Sequence, residues 1–219
     1  MLSERMNNFI NKEILEYVEL FSQKEPDLLK ELNRETNLKV LNPRMLSGAY
    51  QGRILSMISK LLKPINVLEV GTYTGYSALC ILEGLDPNGI IHTIDKNEEL
   101  ESIQRKYFNK SKKGNKIIQY NGDALKIIPK LNESFDLIFI DADKENYINY
   151  FNLVINKLNK NGVLISDNVL WSGKVLEKTS KNDTATKTLI DFNNMINNDS
   201  RVETIILPIR DGISICRKI

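Results

Sequence analysis

Histidine is nearly absent: the 219 residues contain one, His92, with two cysteines, one tryptophan and six prolines. One imidazole excludes a His-rich zinc site, and a Ser-His-Asp triad could use only His92. Inside IIHTID that residue reads as a structural strand position. Cys80 and Cys216 are far apart, each within an apolar run, and read as buried free thiols rather than a disulfide. No apolar stretch is long enough to span a bilayer. Glu4, Arg5, Lys12, Glu13 and Glu16 interrupt the first residues, so no signal peptide is expected and the protein is expected to be cytoplasmic. Lys and Arg number 30 against 28 Asp and Glu, so no general basic field points to nucleic acid or an anionic membrane. Chemistry must therefore run on carboxylates, lysine, tyrosine, amides or a borrowed cofactor.

What is present is ordinary globular material, 42% hydrophobic and 26% charged. Ile10, Ile14, Leu15, Val18 and Phe21 recur at helical spacing and predict a helix over 4–22. Further helices are predicted over 25–37, with Pro26 near the first turn, and over 48–62, ending before Pro64. Strands then alternate with helices: NVLEV, IIHTID, KIIQY, FDLIFID and GVLISD are each apolar, and amphipathic stretches separate them. That alternation predicts a parallel sheet covered on both faces. VETIILP and ISICRKI are separated only by IRDG, too short for a crossover, and predict an antiparallel hairpin. The expected organisation is one α/β domain, residues 1–219, with a helical N-terminal extension (1–62) and a Rossmann-like core (63–219).

In such sheets ligands bind beyond the carboxyl ends of the strands. The first strand ends VLEVGTYTGYS, where Gly71 and Gly75 bracket a tight turn that lets a ligand approach the backbone. The spacing is G-x-x-x-G, not the dinucleotide fingerprint, and Glu69 before it suits an ammonium-bearing ligand better than a pyrophosphate. Asp95 stands at the second strand's tip, where an acid hydrogen-bonds a ribose diol; the bland alternative is a helix cap. Asp123 or the amide of Ala124, after the third strand, could meet an adenine ring; Asp123 could equally be a cap. Three such signals in strand order point to an adenosyl ligand. The fourth and fifth tips carry Asp141, Asp143 and Lys144, then Asp167 and Asn168. Carboxylates and an amide oxygen form a hard donor set suited to Mg²⁺, Mn²⁺ or Ca²⁺.

LEVGTYTGYSAL, FIDADKENY, SDNVLWSG and DGISICRKI, in that order, resemble the cation-dependent class I O-methyltransferases of the caffeoyl-CoA and catechol type. The resemblance runs from Asn37 to Ile219. It implies a seven-stranded, mostly parallel sheet whose last strand is antiparallel, and S-adenosylmethionine as methyl donor. It implies donor contacts at Ser47, Glu69, Gly71, Thr72, Ser77, Asp95, Asp123, Ala124 and Asp141, and metal ligands Asp141, Asp167 and Asn168. Asp141 and Lys144 are the implied catalytic pair. Lys144 matches the lysine that the catechol branch uses as base; if it stays charged it orients substrate instead. Trp171 and Ser172 fall at substrate positions; Trp171 and Tyr147 are candidate aromatic walls for a flat ring, with core packing the bland alternative for both. Plant members carry Asn where this chain has Ser172, so phenylpropanoid-CoA specificity does not transfer. A catechol-like small phenol is the expected acceptor and a homodimer the expected assembly. The runner-up is tRNA wobble hydroxyuridine O-methylation, with Arg105, Lys106, Lys110, Lys112, Lys113 and Lys116 touching phosphates; the same cations could be a solvated helix end. A non-catalytic donor-binding regulator and a nicotinamide dehydrogenase are the readings set aside.

Overall fold

The computed structural model describes residues 11–219. The first part of the helix predicted over 4–22 lies outside them. What is described is α1 (Lys12–Phe21), capped by Asn11, whose side chain accepts from the Glu13 amide. It buries none of its residues. Next comes α2 (Asp27–Lys39), which starts after Pro26 because proline is tolerated only at a helix's beginning. Leu29, Leu32 and Thr36 give it a buried face at helical spacing. Residues Ala49–Leu62 form α3, closed by Lys63 in the left-handed conformation just ahead of Pro64.

The alternating region follows as expected: β1 (Asn66–Val70), α4 (Tyr76–Leu82), β2 (Ile90–Asp95), α5 (Glu101–Lys110), β3 (Ile117–Asn121), α6 (Ala124–Ile127), β4 (Phe135–Ile140), α7 (Tyr147–Val154) and β5 (Leu158–Asp167). Then come α8 (Thr184–Asn198), β6 (Val202–Leu207) and β7 (Ile213–Lys218). β5 begins four residues before the GVLISD segment. Leu158 pairs with Phe135, and the register then shifts before Leu137 meets Val163, with Asn161 at φ 64°. The strand–helix reading passes over α8, although Asp183 caps it and Leu189, Phe192 and Ile196 bury its inner face. It is the crossover that a parallel β6 requires.

The seven strands lie in the order β3-β2-β1-β4-β5-β7-β6, and β7 alone runs antiparallel to the other six. Strand faces alternate between two cores. Leu68, Val70, Ile138, Ile140 and Leu164 pack with Phe151, Phe192 and Ile196 from α7 and α8. Val67, Leu137, Phe139, Val163 and Ile165 pack with Leu32, Leu55, Ile81 and Phe108 from α2 to α5. Burial on both faces is why the central strands read as continuous apolar runs. The thiols of Cys80 and Cys216 are buried and free, as expected. His92 is buried in β2, with Nδ1 2.9 Å from the Tyr120 hydroxyl. Among the described residues no helix is long and apolar enough to cross a membrane.

The α3–α4 contact carries a largely buried ion pair. Arg53 donates to both carboxylate oxygens of Glu83, at 3.0 and 2.6 Å, and Ser56 and Lys60 each donate at 2.8 Å. Burial works against the Glu83 charge, but these donors win and hold its pKa at about 2. A carboxyl depressed in the folded state adds stability that is complete above the unfolded value of 4.5 and lost as pH falls toward 2. Urea unfolding should therefore show a pH slope across that window that Glu83→Gln flattens; an unchanged slope would contradict the assignment.

Candidate active site

Strand order reverses at β1: β2 and β3 extend one way from it and β4 the other, so a crevice opens above the β1 and β4 tips. A cavity of about 2170 Å³ opens there. Its floor is set by backbone contacts one residue beyond the strands. The Gly71 amide donates to Ile94 O at 2.9 Å, Asp141 N to Val70 O at 2.9 Å, and Gly122 N to Asp95 O at 2.8 Å. Gly71 has φ 99°, and a Cβ there would overlap the Asp141 carbonyl oxygen. Gly75 has φ 90°, and a Cβ would come within 2.6 Å of the Phe108 ring. Both glycines of the G-x-x-x-G turn are thus required by close approach as well as by φ.

Of the residues singled out in sequence, Gly71, Asp95, Asp123, Ala124, Asp141, Lys144, Asp167, Asn168, Trp171 and Ser172 line this one cavity. Ser47, Glu69, Thr72 and Ser77 do not; they are buried beneath its wall. Glu69 donates nothing to the floor directly. The Thr93 hydroxyl donates to its Oε2, and Thr72 Oγ1 lies 2.5 Å from Thr93 Oγ1, while Glu69 Oε1 has no partner. Complete burial pushes the Glu69 carboxyl up to about 8, against the pull of Ser77 and Thr93, with Asp141 and Asp95 adding to the rise. Asp95 accepts from the amides of Tyr73 (2.6 Å) and Asn97 (2.8 Å), and Asp123 caps α6 through the Leu125 amide at 2.9 Å. The capping role read in the sequence for Asp123 is therefore present, while Asn97, not Asp95, caps the turn that follows β2.

At the β4 tip, Lys144 Nζ donates to Asp141 Oδ1 at 3.0 Å and to the Tyr147 hydroxyl at 2.8 Å. Burial disfavours the ammonium, but Tyr147 and Asp141 outweigh it and Lys144 ends above the ordinary lysine range. The Asp143 carboxylate is tied to neighbouring side chains: it accepts from the Tyr150 hydroxyl at 2.7 Å and from the Asn146 side-chain amide. Tyr147 is fully buried, edge-on to Phe192, and its hydroxyl donates to Asp167 O at 2.8 Å. It is core and strut, the second of the two readings open for it, and not a wall for a flat substrate. Trp171 both lines the cavity and packs against the core, with Lys144 Nζ 6.0 Å from its ring centroid. Asn168, Trp171 and Ser172 all have positive φ, at 60°, 47° and 53°, a concentration of backbone strain at the β5 tip.

Three neighbours were not foreseen. The Asp211 carboxylate accepts from both the Ser172 amide (3.1 Å) and its hydroxyl (2.9 Å), fixing the strained turn. Gln51 Nε2 donates to Asp167 Oδ2 at 2.6 Å, and Arg210 Nη1 lies 3.3 Å from Gln51 Oε1. These residues come from α3 and the β6–β7 turn, remote in sequence from β5; only the IRDG turn itself was a signal. Burial, then the Asp141 charge, raises the Asp167 carboxyl above its ordinary range, against Gln51, Lys144 and Arg210. Among the described residues, no three His, Cys, Asp or Glu side chains converge as a metal cluster. The candidate donor set is two carboxylates and the Asn168 amide. In the basic cluster, Lys106 pairs with Glu35, Lys110 with Glu31, and Lys116 donates to Pro87 O.

Comparison with known proteins agrees with this layout. A family model described as O-methyltransferase matches residues 19–219. The caffeoyl-CoA O-methyltransferase of Petroselinum crispum is 34% identical over 210 residues, covering 90% of this chain and 86% of its own length. A SAH-bound methyltransferase from Podospora anserina superposes with a TM-score of 0.85 at 27% identity, covering 96% of this chain and 97% of that one. An O-methyltransferase from Bacillus cereus in complex with SAH gives 0.81 at 27% identity, covering 94% and 97%.

Gly71→Ala should destabilise the fold by more than the ~1–3 kcal/mol that an unfavourable φ alone costs, because the added methyl also meets the Asp141 carbonyl. Urea denaturation reads it. Wild-type stability in that variant would mean the β1 and β4 tips do not meet as described.

Proposed function

This chain belongs to the O-methyltransferase family, and from that premise we propose that it moves a methyl group from S-adenosylmethionine to one hydroxyl of a catechol-like phenol with the help of a divalent cation. The single observation that carries the reading is that the adenosyl-directed tips (Gly71, Asp95, Ala124) and the hard-oxygen tips (Asp141, Asp167, Asn168) open onto the same cavity. The donor set fits a hard cation: it is all oxygen, and the Asp167 carboxylate has no side-chain cation in hydrogen-bonding contact, only amides from Gln51 and the Asn168 backbone. Mg²⁺ suits such a set, with Mn²⁺ or Ca²⁺ as alternatives.

A phenol of pKa near 10 is ionised about one part in a thousand at pH 7, leaving roughly 4 kcal/mol to be supplied at the attacking oxygen. When bound, the cation would supply acidification of the acceptor hydroxyl, and the donor an electrophilic methyl on a sulfonium that leaves as a neutral thioether. The chain's own part is positioning. Asp95 would hold the ribose diol at the β2 tip. Asp141 would face both donor and cation, since its carboxylate stands between the β1 and β5 tips. Lys144, held as an ammonium by Asp141 and Tyr147, would donate to the acceptor oxygen and stabilise its negative charge. A role as base would require the Asp141 charge to be drawn elsewhere. Trp171 offers a face for a flat ring, and Ser172, tethered to Asp211, closes that side. The Thr72–Thr93–Glu69 chain supports the turn from below rather than touching the cavity.

A small phenol is preferred over tRNA because three of the six clustered cations are occupied within the chain. A homodimer is the proposed assembly; Ile14, Tyr17, Leu20 and Phe21 of α1 expose an apolar face that a second copy would cover.

Transfer of label from S-adenosylmethionine to a catechol panel should collapse in EDTA and return with Mg²⁺. Asp167→Asn should lose that transfer while donor affinity stays within about threefold. Transfer untouched by exhaustive chelation would refute the cation; label entering bulk tRNA but no catechol would move the acceptor to nucleic acid.

A further inference from the structure

Asp167 is 3% exposed, and the residue that answers its charge is neutral. Gln51, the third residue of α3, is fully buried and reaches across to donate Nε2 to Asp167 Oδ2 at 2.6 Å. Which end of the amide faces the carboxylate is settled by chemistry. Arg210 carries only donors, so the Gln51 atom 3.3 Å from its Nη1 must be the carbonyl oxygen. The same Nη1 is anchored on Leu46 O at 3.0 Å and on Ser47 O. The remaining contacts hold the rest of Asp167: Oδ1 accepts from the Asn168 amide at 2.7 Å, and the main-chain carbonyl accepts from Tyr147 at 2.8 Å.

We propose that Gln51, held in one orientation by Arg210, is the positioning residue that aims the Asp167 carboxylate at the divalent cation without neutralising it. The inference rests on the cation reading above. A lysine or arginine in this place would satisfy Asp167 electrostatically and compete with the metal; an apolar side chain would leave a buried oxygen unpaired. An amide does neither. It fixes the carboxylate's rotation and leaves its full charge available, as outer hydrogen bonds to ligating carboxylates do. The device also couples the cation site to the segment from Leu46 to Gln51, through Arg210, whose own φ of 49° the β6–β7 turn sustains.

The test is Mn²⁺ titration of the full chain, read by the electron paramagnetic resonance of free Mn²⁺, with no acceptor present. Wild type, Gln51→Met, Gln51→Asn and Asp167→Asn are compared, with S-adenosylmethionine affinity and melting temperature in EDTA measured alongside. Gln51→Met should weaken Mn²⁺ binding about 10- to 100-fold. Donor affinity should stay within about twofold, a split that a general loss of packing would not produce. Gln51→Asn keeps a polar amide but is one methylene short of spanning Arg210 and Asp167, so it should weaken Mn²⁺ similarly and serves alone if Gln51→Met fails to fold. Wild-type Mn²⁺ affinity in Gln51→Asn, or equal losses of Mn²⁺ and donor affinity, would overturn the positioning role. If wild type and Asp167→Asn bind Mn²⁺ equally, the cation reading itself fails, which is a different result.

Discussion

At the end of β1 two backbones meet so closely that a single methyl group would not fit between them. Gly71 must be glycine both for its φ of 99° and because the Asp141 carbonyl occupies the space of a Cβ. That contact brings the β1 and β4 tips to one level. The ladder continues one residue past the strands, through the Gly71, Asp141 and Gly122 amides, and only then do the chains part. The cavity is what their parting leaves. Its depth, and the height at which Asp95, Ala124 and Asp141 emerge, follow from where the pairing stops.

Once several tips carry carboxylates at one level, electrostatics decides how each is kept. Asp95 and Asp123 are answered by backbone amides, which cost no counter-charge. Asp143 is folded back onto Tyr150 and Asn146. Asp141 accepts from the largely buried Lys144, and Tyr147 together with Asp141 raises the lysine pKa against the opposing pull of burial. Asp167 receives a neutral amide. Burial and its acidic neighbour oppose its ionisation, so a second positive charge close to Asp167 would stabilise the group substantially.

Much of this was legible because parallel strands write their ends plainly. Continuous apolar runs marked β1 to β5, and the residues at or just past the end of each run gave Gly71, Asp95, Asp123, Asp141 and Asp167 as cavity residues. The antiparallel β7 followed from the shortness of IRDG. Legibility failed where a side chain's direction mattered. Glu69 and Tyr147 sit in the expected motifs but are fully buried, because successive strand residues face opposite sides of the sheet and a helix turns one stripe of residues inward. Such a residue acts on the site through what it supports: Glu69 through Thr93 and Thr72, Tyr147 through the Asp167 carbonyl. Gln51, Arg210 and Asp211 were hidden for another reason. Their partners lie far along the chain, and no local pattern distinguishes a glutamine on a helix from any other.

The lysine-rich end of α5 shows how the same charge can mean two things until its partners are known. On sequence alone Lys106 and Lys110 could meet phosphates. In the fold they reach α2, where Glu35 takes Lys106 together with the Tyr107 hydroxyl, and those donors, opposed only weakly by burial, hold Glu35 at about 2. Lys110 takes Glu31. Exposed pairs of this kind contribute little stability individually, but they register α2 against α5. Glu35 and Lys106 both line the cavity mouth, so the clamp also sets where α2 stands over the adenosyl side of the site. Cations already committed to holding the mouth's shape are poorly available to bind a polyanion there.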